Sequence, residues 1–186
     1  MLCGKLVSLR PVSEEDLPII FRHVNDYSQL GPHLPFRFRS LHELKKQYAD
    51  NGMFGETTGS FTVLDQSENI VGWFAYFPTA MYVKGLEIGG RILRADDWGK
   101  GYGTEVARLM AAYLFSAKDI LRIQICFNTT NPASRRIAEK AGFTYEGVMR
   151  HAYRFDDKPV DMEVWSMVRT ECPPLHEVAI GNQAKQ

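Results

Sequence analysis

The sequence predicts a mixed αβ domain built around a single sheet, and three observations lead there. At 186 residues with 45% apolar content, the chain can bury a substantial core and fits one domain better than two. Its apolar pattern switches repeatedly between strand-like alternation and helical spacing. The resulting order is strand, two helices, three strands, helix, strand, helix, two strands, which a pure βαβ repeat would not produce.

The elements follow in turn. "KLVSLR" sets Leu6 and Leu9 in a short β-prone run. In "PVSEED", Ser13 with Asp16 makes a capping-box pattern ahead of Leu17, Ile20, Phe21 and Val24, which predicts the first helix. "LGPHLPFRF" is a bent loop, and Ser40 with Glu43 repeats the capping pattern before Leu41, Leu44 and Tyr48. "SFTVLDQSENIVGWFAYF" reads as a hairpin around the polar turn Gln66 to Asn69, its aromatics Phe61, Trp73, Phe74, Tyr76 and Phe77 mostly core.

"GLEIGGRIL" is a further strand whose glycine pair predicts an opening where a ligand enters. In "TEVARLMAAYLF", Val106, Leu109, Met110, Tyr113 and Leu114 form one buried helical stripe. "LRIQICF" places Leu121, Ile123, Ile125 and Phe127 on one face and Arg122, Gln124 and Cys126 on the other. "NPASRRIAEKAGF" has Asn131 as N-cap, Pro132 at the first helical position and Gly142 at the stop. Two long strands around "DDKP" come last, and "TECPPLHEVAIGNQAKQ" reads as a flexible tail.

With 22 basic and 22 acidic side chains the net charge is zero, so no polyanion-binding face is expected and nucleic acid is not expected as a direct ligand. Cys3, Cys126 and Cys172 are too few and too scattered for a disulfide framework, which predicts free thiols. No apolar run approaches a membrane span, and a soluble cytoplasmic protein is expected. His23, His33, His42, His151 and His176 lack metal-ligand spacing, so no metal is expected.

Gly99, Gly101 and Gly103 stand directly before the long helix. They permit backbone conformations closed to other residues, so that several amides can point into one concavity. Unpaired amides at the positive end of a helix make an anion site, with phosphate the natural guest. The commoner phosphate loops fail on the letters. GxGxxG needs glycine where Thr104 stands, and a Walker-type loop ending at Lys100 needs glycine at Arg94 and serine or threonine at Gly101. A tight strand-to-helix turn without a ligand is the competing reading.

"WGKGYGTEVA" together with "NPASRRIAEKAGFTYEGVMR" resembles the GNAT superfamily of acetyl-CoA-dependent N-acyltransferases. The likeness is greatest to its ribosomal-protein N-terminal acetyltransferases (RimJ/RimL type) and their small-molecule-modifying relatives, and it runs from "VSLRPVSEEDL" to "DMEVWSMV". Superfamily members carry Gln or Arg, two free positions, then GxG or GxA. Here Trp98 takes the first place and Gly101, Tyr102 and Gly103 the last three, a mark of this branch. The resemblance implies an α+β fold with a central mixed, mostly antiparallel sheet of about six to seven strands and helices on both faces. It sets a catalytic domain over residues 1–170 and a tail over 171–186.

The resemblance further implies an enzyme that moves an acetyl group from acetyl-CoA, without a metal, to a primary amine on a protein N-terminus or a small molecule. It leaves open a monomer or a homodimer. The loop Trp98, Gly99, Lys100, Gly101, Tyr102, Gly103 and Thr104 would hold the coenzyme, its amides binding the diphosphate. The backbone of Ile92 and Leu93 would bond the pantetheine arm, with an amide near Leu93 as the oxyanion donor, and Asn131 would reach the same arm. Glu87 would take the amine proton, unless it is an ordinary exposed strand carboxylate.

Many members protonate the leaving thiolate with a tyrosine seven residues after the asparagine; here that position is Ala138. Weight then shifts to Ser134, near the coenzyme sulfur in such folds, with Tyr145 and Tyr153 in reserve, although Ser134 also suits a plain helix start. His33, Phe36, Arg37, His151 and Tyr153 would wall the acceptor cleft. The alternative function is a non-catalytic acyl-CoA-binding or structural relative, in which Ala138 reports lost chemistry.

Overall fold

Alternation in β2 (Val7–Pro11) sets the plan of the sheet, since Val7 and Leu9 are buried while Ser8 and Arg10, alternating with them, are not. The computed structural model describes residues 1–29, 31–33, 36–155 and 157–180. β2 pairs antiparallel with β3 (Gly59–Asp65), which returns as β4 (Ile70–Pro78). The Asp65 carboxylate fixes that turn by accepting the N–H groups of Ser67 and Asn69 at 2.8 and 2.9 Å. β4 pairs antiparallel with β5 (Gly85–Ile92), and β5 runs parallel to β6 (Arg122–Asn128). β8 (Lys158–Val168) lies antiparallel between β6 and the edge strand β7 (Thr144–Phe155).

Starting from the edge strand β1 (Leu2–Cys3), the order is β1-β2-β3-β4-β5-β6-β8-β7, one mixed, mostly antiparallel sheet as expected. It has eight strands rather than six or seven because β1 adds an edge. A two-residue strand is too short to show alternation in the sequence.

Each predicted helix is present. Half of the predicted Ser13–Asp16 capping box forms, Asp16 Oδ2 accepting the Ser13 N–H at 2.9 Å, and a single 3₁₀ turn leads into α1 (Leu17–Val24). α2 (Leu41–Asn51) starts after Ser40 as predicted, but the Ser40 side chain makes no capping bond, so the second capping box is absent. α3 (Tyr102–Ala117) buries Val106, Leu109, Met110 and Leu114 completely, with Tyr113 packed at their side. α4 (Pro132–Ala141) begins at Asn131, whose Oδ1 accepts the Ser134 N–H at 3.1 Å, and stops at Gly142 in the left-handed conformation, φ 94°.

The two faces of the sheet are covered differently. Phe61, Val63, Tyr76, Leu86, Ile88, Ile123 and Phe127 meet α3 and α4 in the main core. On the opposite face α1 and α2 close a smaller cluster of Val12, Leu17, Ile20 and Val24, with Trp73 against it. The segment expected as a tail instead carries α5 (Leu175–Val178) through residue 180. Cys172, Val178 and Ala179 pack on the core, and the Ile180 N–H donates to the Cys3 carbonyl at 2.8 Å. These few apolar residues were masked in the sequence by the flanking prolines; residues 181–186 lie outside the described residues.

Candidate active site

The site begins where β5 and β6 separate. Their parallel pairing joins Gly85, Leu86 and Glu87 to Arg122, Ile123 and Gln124 and goes no further. β5 stays paired with β4 as far as Ile92, and β6 with β8 as far as Asn128. A gap therefore opens directly after Glu87, where the glycine pair Gly89–Gly90 predicted one. Because the strands run parallel, both deliver the chain to the same end of the gap, β5 toward α3 and β6 toward α4. Two helix N-termini thus face it, and Gly103 permits their approach, since a Cβ there would lie 2.7 Å from Ile137 Cδ1.

The predicted glycine loop is built as an amide cradle. Gly99 and Gly101 have φ of 76° and 88°, a region favouring glycine. The last backbone bond before the loop is Trp98 N–H to Ala95 O, and the helical ladder opens with Glu105 N–H to Gly101 O at 3.1 Å. Geometry leaves the amides of the first turn, Tyr102 to Thr104, without acceptors inside the helix. The indole of Trp98 donates to the Ile92 carbonyl at 3.3 Å, tying the loop to the end of β5. The Lys100 ammonium rests on the Asp97 carboxylate at 2.7 Å, so Lys100 offers the loop its amide rather than a free charge.

Glu105, which the sequence reading passed over, anchors this loop from behind. Its carboxylate accepts the N–H groups of Lys5, Leu6 and Val7 at 2.8, 2.6 and 2.7 Å. Gly4 is required beside it, as a Cβ there would lie 2.6 Å from the Glu105 carboxyl carbon.

The expectation for Leu93 is corrected. Its N–H donates to the Val71 carbonyl at 2.9 Å and its side chain is fully buried, so the amide is committed to β4. Backbone alternation turns the Ile92 N–H the other way, to the edge that β6 has left.

Glu87 sits at the apex of the gap. Side-chain alternation puts Leu86 and Ile88 in the core under α3 and turns Glu87 to the opposite face with Gln124, Cys126 and Phe77. Gln124 Nε2 donates to Glu87 Oε2 at 2.8 Å and also approaches Cys126 Sγ at 3.4 Å. Burial raises the Glu87 pKa above the usual carboxylate range, against the opposing hydrogen bonds from Gln124 and Cys126. Burial, reinforced by the Glu87 charge, pushes the Cys126 thiol up to about 12, so that it stays protonated. Glu87 is therefore a half-buried, oriented carboxylate rather than an exposed one. Gln124 and Cys126 were legible only as the polar face of an otherwise apolar strand.

Across the gap, Asn131 Oδ1 is spent on capping α4, which leaves its Nδ2 as a donor. Ser134 is half-buried on the first turn, and its hydroxyl is not the cap. Ala138, one turn further along, is completely buried in the core, where a phenol would not fit. Tyr145 packs on Trp165 on the edge strand, separated from β6 by β8, and is thus removed from the gap.

The acceptor-side residues are only partly assembled. His33 Nδ1 lies 3.5 Å from Thr130 Oγ1, and Thr130 lines a cleft of about 460 Å³ with Asn128, His151, Phe155 and Asp161. His151 has φ 50° and is held by its N–H to Asp161 Oδ1 at 2.8 Å. Tyr153 packs on Phe155 beside this cleft. Phe36 is instead stacked edge-to-face between Tyr27 and Phe38 in its own loop, and Arg37 is exposed.

A parting pair of parallel strands that ends at two helix N-termini, one behind a glycine cradle, is an arrangement for a phosphate-bearing ligand with an extended arm. Residues 7–144 match the family model described as "Acetyltransferase (GNAT) domain", and the chain belongs to that family. It is an acetyltransferase with acetyl-CoA as donor, as the resemblance implied. Among its relatives is the uncharacterized N-acetyltransferase YoaA of Bacillus subtilis (strain 168), 32% identical over 103 residues, which are 55% of this chain and 58% of YoaA. The spermidine N-acetyltransferase of Vibrio cholerae in complex with CoA and spermine superposes with TM-score 0.75 at 19% identity, covering 89% of this chain and 96% of that one. RimL, a ribosomal L7/L12 α-N-protein acetyltransferase in complex with coenzyme A, does so with TM-score 0.75 at 20% identity, covering 89% and 95%.

Proposed function

We propose that the chain acetylates a primary amine presented over the β4–β5–β6 face, with Glu87 accepting the amine proton. The observation that carries this reading is the parting of β5 and β6 directly after the Glu87–Gln124 pair, with the glycine cradle at the end of the same gap. Acetyl-CoA, when bound, supplies the activated thioester carbonyl. The amides of Gly99 to Thr104 hold its diphosphate, which a helix N-terminus and left-handed glycines suit. Asn131 Nδ2 and the open β5 edge orient the arm, and the Ile92 N–H faces the thioester oxygen.

Burial raises the affinity of Glu87 for a proton while Gln124 keeps its carboxylate aimed, which suits a base acting near neutral pH. An α-amine, with a pKa of about 8, needs less help than a lysine amine near 10.4. A protein N-terminal α-amine is therefore the favoured acceptor class. In this reading Ser134, half-buried on the first turn of α4, returns a proton to the thiolate.

Release of free thiol from acetyl-CoA, measured against N-terminal peptides and small amines, tests this. Turnover is expected in the parent protein, with a loss of roughly 10²–10⁴ in kcat/KM for Glu87→Gln. Tight coenzyme binding without thiol release on any amine would replace this reading with the non-catalytic alternative, which the buried Ala138 favours.

A further inference from the structure

On the face that carries Glu87, the strands leave a second polar feature that the transfer itself does not use. Alternation along β5 places Glu87, Gly89 and Arg91 on one side, and register sets Phe77, Ala75 and Trp73 of β4 beside them. Between Glu87 and Arg91 the floor is Gly89 and Ala75, and the Phe77 ring leans beside Gly89, within 3.6 Å of where a Cβ would stand, so a narrow track walled by Phe77 joins the two charges. At about 3.3 Å per residue it is roughly 13 Å long.

Arg91 is half-buried and forms no ion pair among the described residues. One amino group donates to the His23 carbonyl oxygen at 2.5 Å, which leaves further guanidinium donors. Arg39 lies over the Trp73 ring at 5.5 Å from its centroid, its backbone clamped by Asn25 at 2.7 and 2.9 Å. The Trp73 Nε1–H is buried with no acceptor.

The carboxylates nearby are spoken for. Asp16 accepts from both Arg10 amino groups, the Thr62 hydroxyl and the Ser13 N–H. Asp26 accepts from the Ser28 N–H and hydroxyl and acts on Arg91 only through space. The His23 imidazole is held below its usual pKa by burial and then by Arg91, Arg22 and Arg94, which disfavours a further positive charge there. Arg91 and, across the Trp73 ring, Arg39 thus bring two cations to this end of the face, neither of them ion-paired with a carboxylate among the described residues. Guanidinium donors left in this way can take an acceptor from outside the chain.

Resting on the reading that Glu87 receives the amine proton, we propose that Arg91, with Arg39 across the Trp73 ring, binds a carboxylate of the acceptor, making the enzyme selective for N-terminal peptides with an acidic residue within the first few positions. An extended peptide lies along the Gly89–Ala75 track with its amine toward Glu87 and its acidic side chain toward Arg91. The track length accommodates the acid at the second to fourth position.

Tetrapeptide amides carrying aspartate or asparagine at the second, third or fourth position test this, by thiol release and by Trp73 fluorescence in coenzyme-saturated protein. At its best position aspartate is expected to raise kcat/KM by on the order of tenfold to a hundredfold over asparagine, through KM. Arg91→Met should abolish that preference, bringing aspartate peptides to the level of asparagine ones, and Arg91→Lys should restore part of it. Aspartate peptides should also change the fluorescence of the parent protein, but not that of Trp73→Phe or Arg91→Met. Equal turnover of aspartate and asparagine peptides, or a preference that survives Arg91→Met, overturns the assignment and leaves the acetyl-transfer reading standing. If no peptide turns over, that reading falls, and the fluorescence titration still decides whether the carboxylate site exists.

Discussion

The most demanding stability prediction concerns Glu105, because one side chain ties the first strands to the helix that bears the coenzyme cradle. In Glu105→Ala the N–H groups of Lys5, Leu6 and Val7 lose a charged acceptor at once. Water replaces it at Lys5 and Leu6, which are exposed, but only in part at Val7, whose side chain is fully buried. A charge-assisted bond contributes about 1.5–3 kcal/mol where water is excluded and a fraction of that where it is not. A carboxylate in the first turn of a helix adds about 0.3–1 kcal/mol. The expected loss is therefore roughly 2–4 kcal/mol, or a Tm lower by about 5–15 °C for a chain of this length.

Urea denaturation followed by tryptophan fluorescence measures this loss. Glu105→Gln, which keeps one carbonyl oxygen for Leu6 and Val7, should lose about half as much. Gly4→Ala should be destabilising for the same reason, since its Cβ would press on the carboxylate, and combining it with Glu105→Ala should cost less than the sum. A Glu105→Ala protein within about 0.5 kcal/mol of the parent, or strict additivity in the double variant, would refute the anchoring role.

Two further predictions follow from the titrating groups. Gln124→Leu removes a donor that lowers the Glu87 pKa against the burial that raises it, so the acid limb of the kcat/KM profile should move to higher pH, with thiol release across a pH series as the readout. An unmoved limb would detach Glu87 from the profile. Burial works to raise the Asp16 pKa, but Arg10, Ser13 and Thr62 overcome it and hold it below the usual range. Its contribution is complete above the unfolded value and disappears as pH falls through the folded one. Asp16→Asn should cost about 3 kcal/mol at neutral pH, with the difference from the parent shrinking in acid, as denaturation at a series of pH values would show.

What was legible in the sequence is what local chemistry decides. Asn131, Pro132 and Gly142 delimit α4 because cap, fixed φ and left-handed stop act within a few residues of themselves. The stripe from Val106 to Leu114 announces a buried helix face, and Val106, Leu109, Met110 and Leu114 are buried, while Ala107, Ala111 and Ala112 carry the burial further round the helix than the stripe foretold. Ser40 shows the limit of such patterns, since the helix begins there while its capping bond is absent. The site was legible at its donor end, where three glycines and a helix start lie together in the chain. It was illegible wherever partners are distant in sequence. Glu105 reaches across about a hundred residues to Lys5, Gln124 meets Glu87 only through parallel strand register, and the Leu93 amide is claimed by Val71 on a neighbouring strand. Strand registry and tertiary closure, not propensity, decide those contacts.

The central claim is that the gap between β5 and β6 and the glycine cradle at its end hold acetyl-CoA through backbone amides. Calorimetric titration of acetyl-CoA into the parent protein, Gly99→Asn and Gly99→Asp tests it most directly. Gly99 has φ 76° and open space around it, so asparagine is tolerated there and differs from aspartate chiefly in charge. Binding should survive in Gly99→Asn and vanish in Gly99→Asp, whose carboxylate would face the diphosphate. Equal affinity in the two variants would contradict the claim and reduce the glycine run to a turn.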